Sequence, residues 1–265
     1  MKIYISADIE GVTGVTHWDE TEIGKPDYGV FREQMTAEVV AACEAATAAG
    51  ASEIWIKDAH DTGRNLIAAK LPSGARLVRG WSGHPFSMVQ ELDGTFAALI
   101  LIGYHARAGS AASPLAHTLT GVLAYIKVND RYASELLLHG YAAALVGVPI
   151  VFVSGDAGVC EEARSLSPEI VTFPVKHGVG GTTVNVHPER AIQGIRDGVR
   201  QALQGDLTRC RFPLPGRFAV EVGYKDHAKA YRASFYPGAS LSGPSSVSFE
   251  TGDYFEVLRF LLFVT

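Results

Sequence analysis

A mostly parallel β-sheet flanked by helices, with a smaller α+β part after it, is the α/β fold class that this 265-residue sequence predicts. Three observations carry it. Near-continuous apolar segments alternate with helical ones, as in βαβ units whose strands are buried on both faces. Several of those apolar segments end on acids or histidines. Beyond about residue 180 the texture changes to shorter, turn-rich and β-branched segments.

Each element has its own signal. "MKIYISAD" reads as a strand, and "VFREQMTAEVVAACEAATAAG" as a long alanine-rich helix closed by Gly50. "EIWIKDAH" is a second strand, followed by a short helix over "NLIAAKL". "ARLVRG" predicts a strand, "PFSMVQEL" a helix, and "FAALILIGYH" a buried strand ending at His105. "VLAYIKVND" predicts a further strand and "ASELLLHGYAAALVG" a helix. "PIVFVSGD" and "EIVTFPVK" are strands separated by the acidic "CEEARSL". A glycine-rich loop and a helix follow in "GVGGTTVNVHPERAIQGIRDGVRQALQG". "FPLPGRFAVEVGY", "KAYRASFYPGASLSG" and "SVSFETGDY" then supply the second part, and "VLRFLLFVT" packs as a terminal helix or strand. The expected division is an α/β metal-binding catalytic unit over residues 1–180 and a smaller α+β unit over residues 181–265.

Composition narrows the class of function. Hydrophobic residues make up 47% of the chain and charged residues 19%, which suits a compact enzyme rather than a disordered chain. A net charge of −5 without a Lys/Arg block gives nucleic acid no electrostatic footprint. The amino terminus runs directly into a strand without a signal-peptide pattern, and "VLRFLLFVT" is too short to span a bilayer. Cys43, Cys160 and Cys210 are widely spaced and odd in number, so they are expected as buried thiols in a cytoplasmic protein.

In an open parallel sheet, ligands bind beyond the carboxyl ends of the strands. Asp8 and Glu10, Asp58 and His60, His105 and Asp156 all fall at such ends. Asp8 and Glu10 are two residues apart, so an extended backbone directs both carboxylates to one side. Two close anions raise each other's pKa, and a divalent cation removes that penalty. A solvated strand end with one acid capping a turn would read the same way.

His60 and His105 could each be a packed, hydrogen-bonded strand-end residue, and together beside the acid pair they suggest ligands. Glu135 lies near a helix start, where an acid is also favoured by the helix dipole. Mixed carboxylate and imidazole donors suit zinc or a similar transition ion rather than calcium. Five such residues exceed what one catalytic zinc needs and suit a two-metal site with one bridging ligand. His117, in the small-residue loop "GSAASPLAHTLTG", is a candidate general acid/base or oxyanion stabiliser, or an ordinary loop histidine. "GVGGTT" lacks the spacing of a phosphate-binding loop, and no G-x-S-x-G elbow occurs.

These blocks together resemble the DppA-type D-aminopeptidases, self-compartmentalising zinc peptidases. "SADIEG" is similar to the family's S-x-D-x-E-G signature, "KDAH" to its second metal segment and "LIGYHARAG" to its third. "AHTLTG", "VNDRYASELLLHGYAAALVGVPIVFVSGD" and "PFSMVQELDGTFAALILIGYHARA" are similar to further blocks in order and approximate spacing. The resemblance runs from residue 1 to about residue 177 and more loosely beyond.

It implies two zinc ions per subunit held by Asp8, Glu10, His60, His105 and Glu135, with Asp8 bridging, and His117 as the catalytic histidine. It also implies a ring-shaped homo-oligomer, a decamer, acting on small peptides such as those beginning with D-alanine. No nucleic acid or membrane partner is expected. Asp58 is a further candidate, as an acceptor orienting a ligand histidine. Other dinuclear hydrolases, such as phosphoesterases or amidohydrolases, and a non-catalytic peptide-binding scaffold are the competing readings.

Overall fold

The computed structural model describes residues 1–265 and forms two sheets. The larger has seven strands in the order β3 (Ala75–Val78), β2 (Glu53–Asp58), β1 (Lys2–Ala7), β4 (Ala98–Tyr104), β7 (Ile150–Asp156), β8 (Val171–Val179) and β9 (Thr182–Asn185). All its pairings are parallel except β8 with β9. The strands β4 and β7 are buried along their whole length, which explains their unbroken apolar runs.

Chain order reverses at β1. The chain builds outward from β1 to β2 and β3, then returns to place β4 on the other side of β1. Such a switch point opens a crevice beyond the carboxyl ends of the two flanking strands. Asp8 and Glu10 leave the sheet at that point, with His60 following β2 and His105 following β4.

Helix α1 (Tyr28–Ala48) packs with α4 (Pro188–Gln204) against the sheet. Ala191, Ile195, Gly198, Val199 and Ala202 form the buried stripe of α4, a spacing that holds one face of a helix inward. Helix α2 (Glu135–Leu145) lies against β4, and α3 (Ala157–Leu166), which contains the acidic "CEEARSL", lies against β7 and β8.

The second sheet is antiparallel, in the order β11 (Ser240–Gly243), β12 (Ser246–Thr251), β10 (Phe218–Tyr224), β5 (Leu123–Val128) and β6 (Arg131–Tyr132). Helix α5 (His227–Ala233) packs on β10 and β12, and the terminal segment forms a helix, α6 (Tyr254–Val264), against α2 and β12.

Two of the expected helices are shorter than the sequence suggests, and the two sheets do not part at one point of the chain. The division at residue 180 does not separate the sheets, because β5 and β6 belong to the second sheet while β9 and α4 belong to the first. "VLAYIKVND" forms β5, which pairs antiparallel with β10 and is buried at only three of its six positions, as suits a sheet covered on one face.

The "NLIAAKL" and "PFSMVQEL" helices reduce to single 3₁₀ turns, Ala68–Lys70 and Ser87–Val89. Pro72 disfavours helix at Leu71. In the second segment the Met88 carbonyl accepts from the Ser6 hydroxyl at 2.7 Å and the Gln90 carbonyl from the Tyr4 hydroxyl, so neither is free for a helical ladder.

Candidate metal centre

The turn after β1 is held by its neighbours on both sides. Asp8 donates its backbone N–H to Ile102 and Gly11 to Gly103, at 2.9 and 2.8 Å. A Cβ on Gly11 would lie 1.8 Å from the Tyr104 carbonyl oxygen, so only glycine lets this turn lie on the end of β4. From the other side Lys176 of β8 reaches in. Its buried ammonium donates to the carbonyls of Glu10, Val12 at 3.1 Å and Val15 at 2.6 Å. Burial pushes the Lys176 pKa down to about 8. Sequence reading passed over this residue, although a lysine following the apolar "VTFPV" of its strand was the available signal.

His60 sits on a loop anchored by Asp58. The Asp58 carboxylate accepts from the N–H groups of Asn65 and Leu66 at 2.6 and 2.7 Å and from the Asn65 side chain at 2.9 Å. The Asn65 amide in turn donates to the His60 carbonyl at 2.7 Å. Asp58 therefore does not orient an imidazole directly, contrary to the sequence expectation. The His60 ring donates from Nε2 to the Thr21 carbonyl at 3.0 Å, leaving Nδ1 aimed at the acids.

His105 is set by Asp156, whose carboxylate accepts from Ala106 N–H at 2.7 Å and caps α3 through Val159 N–H at 2.8 Å. Its Nδ1 donates to the Ala106 carbonyl at 3.0 Å, leaving Nε2 aimed inward. Glu135 is the first residue of α2, which Ser134 caps through Leu137 N–H at 3.1 Å. One of its oxygens accepts from Leu119 N–H at 2.7 Å. His117 stacks on His105 with ring centroids 4.3 Å apart and bonds through Nδ1 to the Leu115 carbonyl at 2.9 Å.

These side chains converge. His60 Nδ1 lies 3.2 Å from Asp8 Oδ1 and 3.0 Å from Glu10 Oε2. His105 Nε2 lies 3.4 Å from Asp8 Oδ2 and 3.1 Å from Glu135 Oε2. His117 Nε2 faces Glu10 and Glu135 at 3.9 and 3.7 Å. Asp8, Glu10 and His60 thus form one three-donor group and Asp8, His105 and Glu135 another, each with its donor atoms within 4.8 Å of one another. Asp8 belongs to both and turns a different oxygen to each. A third group, Glu10, His105 and His117, shares Glu10 with the first and His105 with the second.

The donor set fits divalent metal. Glu10 Oε2, His105 Nε2 and Glu135 Oε2 are buried without hydrogen-bond partners. Each ligand-type histidine uses one ring N–H on a backbone carbonyl and turns its other nitrogen to carboxylates, as in zinc sites. A lone pair facing an anion is repulsive unless a proton or a cation lies between. Donor separations of 3.0 to 3.4 Å suit atoms each about 2.0–2.2 Å from a common zinc ion.

Without metal, protons do the neutralising. Burial opposes charge on the His60 and His105 rings, but the surrounding carboxylates outweigh it and hold both well above the usual imidazole range. Burial likewise opposes ionisation of Glu135, yet the imidazoles draw it down to about 2. Asp8, desolvated and beside Glu10, is pushed up.

The centre opens into a cavity of about 460 Å³. Cys43, Cys160 and Cys210 are free and buried. "GVGGTT" spans the hairpin joining β8 and β9.

The same architecture occurs in proteins of known activity. The family profile described as D-aminopeptidase matches residues 1–263. A D-aminopeptidase of Bacillus subtilis (strain 168) is 32% identical over 267 residues, covering 100% of this chain and 97% of the relative. The solved structure of the zinc-dependent D-aminopeptidase DppA from Bacillus subtilis, described as a self-compartmentalizing protease, superposes with a TM-score of 0.93. It is 30% identical, with 100% of this chain and 96% of that chain covered.

Proposed function

This chain belongs to the D-aminopeptidase family, and on that premise we propose that it is a zinc-dependent aminopeptidase. Its substrates are short peptides with an N-terminal D-residue such as D-alanine. The carrying observation is the pair of three-donor groups that share Asp8 through its two oxygens.

Asp8, Glu10 and His60 would hold one zinc ion, and Asp8, His105 and Glu135 the other. When bound, the two ions polarise the scissile carbonyl and lower the pKa of a bound water towards ~7. The chain's own groups supply the rest. His117 donates its Nδ1 proton to the Leu115 carbonyl, so Nε2 faces the centre. It is placed to take a proton from the attacking water and return it to the departing amine. Stacking on His105 and edge contact with Trp18, at 5.3 Å between centroids, restrict its ring. Burial of the donors limits competing water, so their carboxylates act in a low-dielectric site.

A ring-shaped homo-oligomer, a decamer, is the proposed assembly, supported by the self-compartmentalizing description of the structural relative. A reducing cytoplasmic location is proposed from the three free thiols. No helix is long and apolar enough to cross a membrane.

Activity on D-Ala-D-Ala, L-Ala-L-Ala and p-nitrophenyl phosphate, before and after chelation and zinc return, tests the reading. Turnover of the D-peptide alone, lost with chelator and restored by zinc, is expected. Glu10→Ala and His60→Ala variants should lose at least about a hundredfold in kcat/KM. Full activity in either, or phosphatase activity alone, would overturn it.

A further inference from the structure

Trp18, Trp55 and Trp81 are the three tryptophans of the chain, and Trp18 and Trp81 line the cavity of the metal centre. Their exposures are 37% and 41%, although an indole is among the largest apolar groups a protein can bury. Neither ring is loose. Trp81 donates its indole N–H to the Asp61 carbonyl at 2.6 Å, and the buried Lys57 ammonium lies 3.8 Å from its ring centroid. Trp18 meets the His117 ring edge-on.

The contacts place the two indoles on different flanks of the centre. Trp18 lies on the His117 flank, whereas Trp81 lies on the His60 flank, through its bond to the residue after His60. Leu262 of α6, 39% exposed, lines the same cavity beside the buried Leu258 and Leu261. Three half-exposed large apolar side chains therefore converge on one concave surface that also carries the metal donors. Rigid aromatic walls lose little freedom on binding, so the area they offer converts efficiently into affinity.

From these walls we infer that Trp18 and Trp81 form the side-chain site of the substrate cleft and select peptides whose N-terminal residue is bulky and apolar. This rests on the aminopeptidase reading and adds a substrate class to it. An alanyl side chain offers these walls a single methyl, whereas a leucyl side chain offers three more carbons of apolar surface. The cavity, about 460 Å³, lies in the range that encloses ligands larger than an alanyl dipeptide. Each added methylene in an apolar site is worth about tenfold or more in specificity.

The test uses the full-length, zinc-loaded enzyme. Steady-state kinetics should favour D-Leu-D-Ala over D-Ala-D-Ala by about tenfold or more in kcat/KM. Trp18→Ala and Trp81→Ala should each lower that ratio by about tenfold, mainly through KM for the leucyl peptide, and Trp81→Phe should retain most of it. Trp55→Phe, outside the cavity, should leave the ratio unchanged. In the Trp55→Phe background, the two remaining indoles report binding of the free amino acids, which cannot be hydrolysed. D-Leucine should shift their emission at a concentration about tenfold below that needed for D-alanine.

A ratio near one that neither alanine substitution moves overturns the inference and leaves the aminopeptidase reading intact. Absence of turnover on every peptide defeats that reading, and the emission titration still decides the role of the indoles. Emission already typical of buried indole and indifferent to both amino acids means that another copy covers the rings, and also overturns the inference.

Discussion

Glu38 is buried on α1, where its Oε1 accepts from Thr13 N–H and the Gln34 amide, both at 3.1 Å, and its Oε2 has no partner. Burial pushes its pKa up to about 7, against 4.5 for an ordinary glutamate. The folded protein therefore holds a proton that the unfolded chain releases between pH 4.5 and 7. Stability contributed by this group is complete below about pH 4.5 and falls as pH rises through 7. The loss amounts to about 3 kcal/mol. Glu38→Gln should remove that decline, and denaturant unfolding of both proteins at pH 5 and pH 8 checks it. At the same scale, "SADIEG" made Asp8 and Glu10 legible as a pair by their chemistry, although they lie in the turn beyond β1 rather than on extended strand. Lys176 was not legible as their support. Its three carbonyl partners lie 161 to 166 residues away, and nothing local marks them.

Among elements, the strands were read best, since a strand buried on both faces needs apolar residues at every position. The short helices fared worst. Isolated helices of a few residues are marginal, and the carbonyls of "PFSMVQEL" are taken by the hydroxyls of β1. The turn after β1 gives the sharpest prediction at this scale. Gly11→Ala forces a methyl against the Tyr104 carbonyl, which belongs to sheet backbone and cannot move aside. The change should cost about 3 kcal/mol and displace Asp8 and Glu10. Gly74→Ala, which meets nothing within 4 Å, is the matched control. Thermal unfolding and zinc content per chain, measured together, distinguish a lost site from a lost fold. Near-identical values for both variants would refute the steric account.

For the whole molecule, metal binding and stability are linked through the buried donors. His60 and His105 hold protons in the metal-free protein, and zinc must displace them. Zinc at a hundred times its dissociation constant should stabilise the fold by about 2.7 kcal/mol. Binding should release protons, and affinity should fall as pH drops. Calorimetric titrations in two buffers of different ionisation enthalpy read the released protons directly. A proton count of zero would contradict the charged imidazoles.

The two sheets interleave along the chain, so β5, read as a strand within the alternating first part, belongs to the second sheet. By itself the sequence determined the α/β class and the polar strand ends, and singled out five candidate donor residues, because these follow from periodicity and from chemistry that apolar strands do not otherwise carry. Only the tertiary structure decided that Asp8 divides its oxygens between two groups, that Asp58 anchors a loop rather than a ring, and that two indoles flank the centre. Those facts depend on strands brought side by side from distant parts of the chain, and on side-chain orientations that packing selects after the backbone is in place.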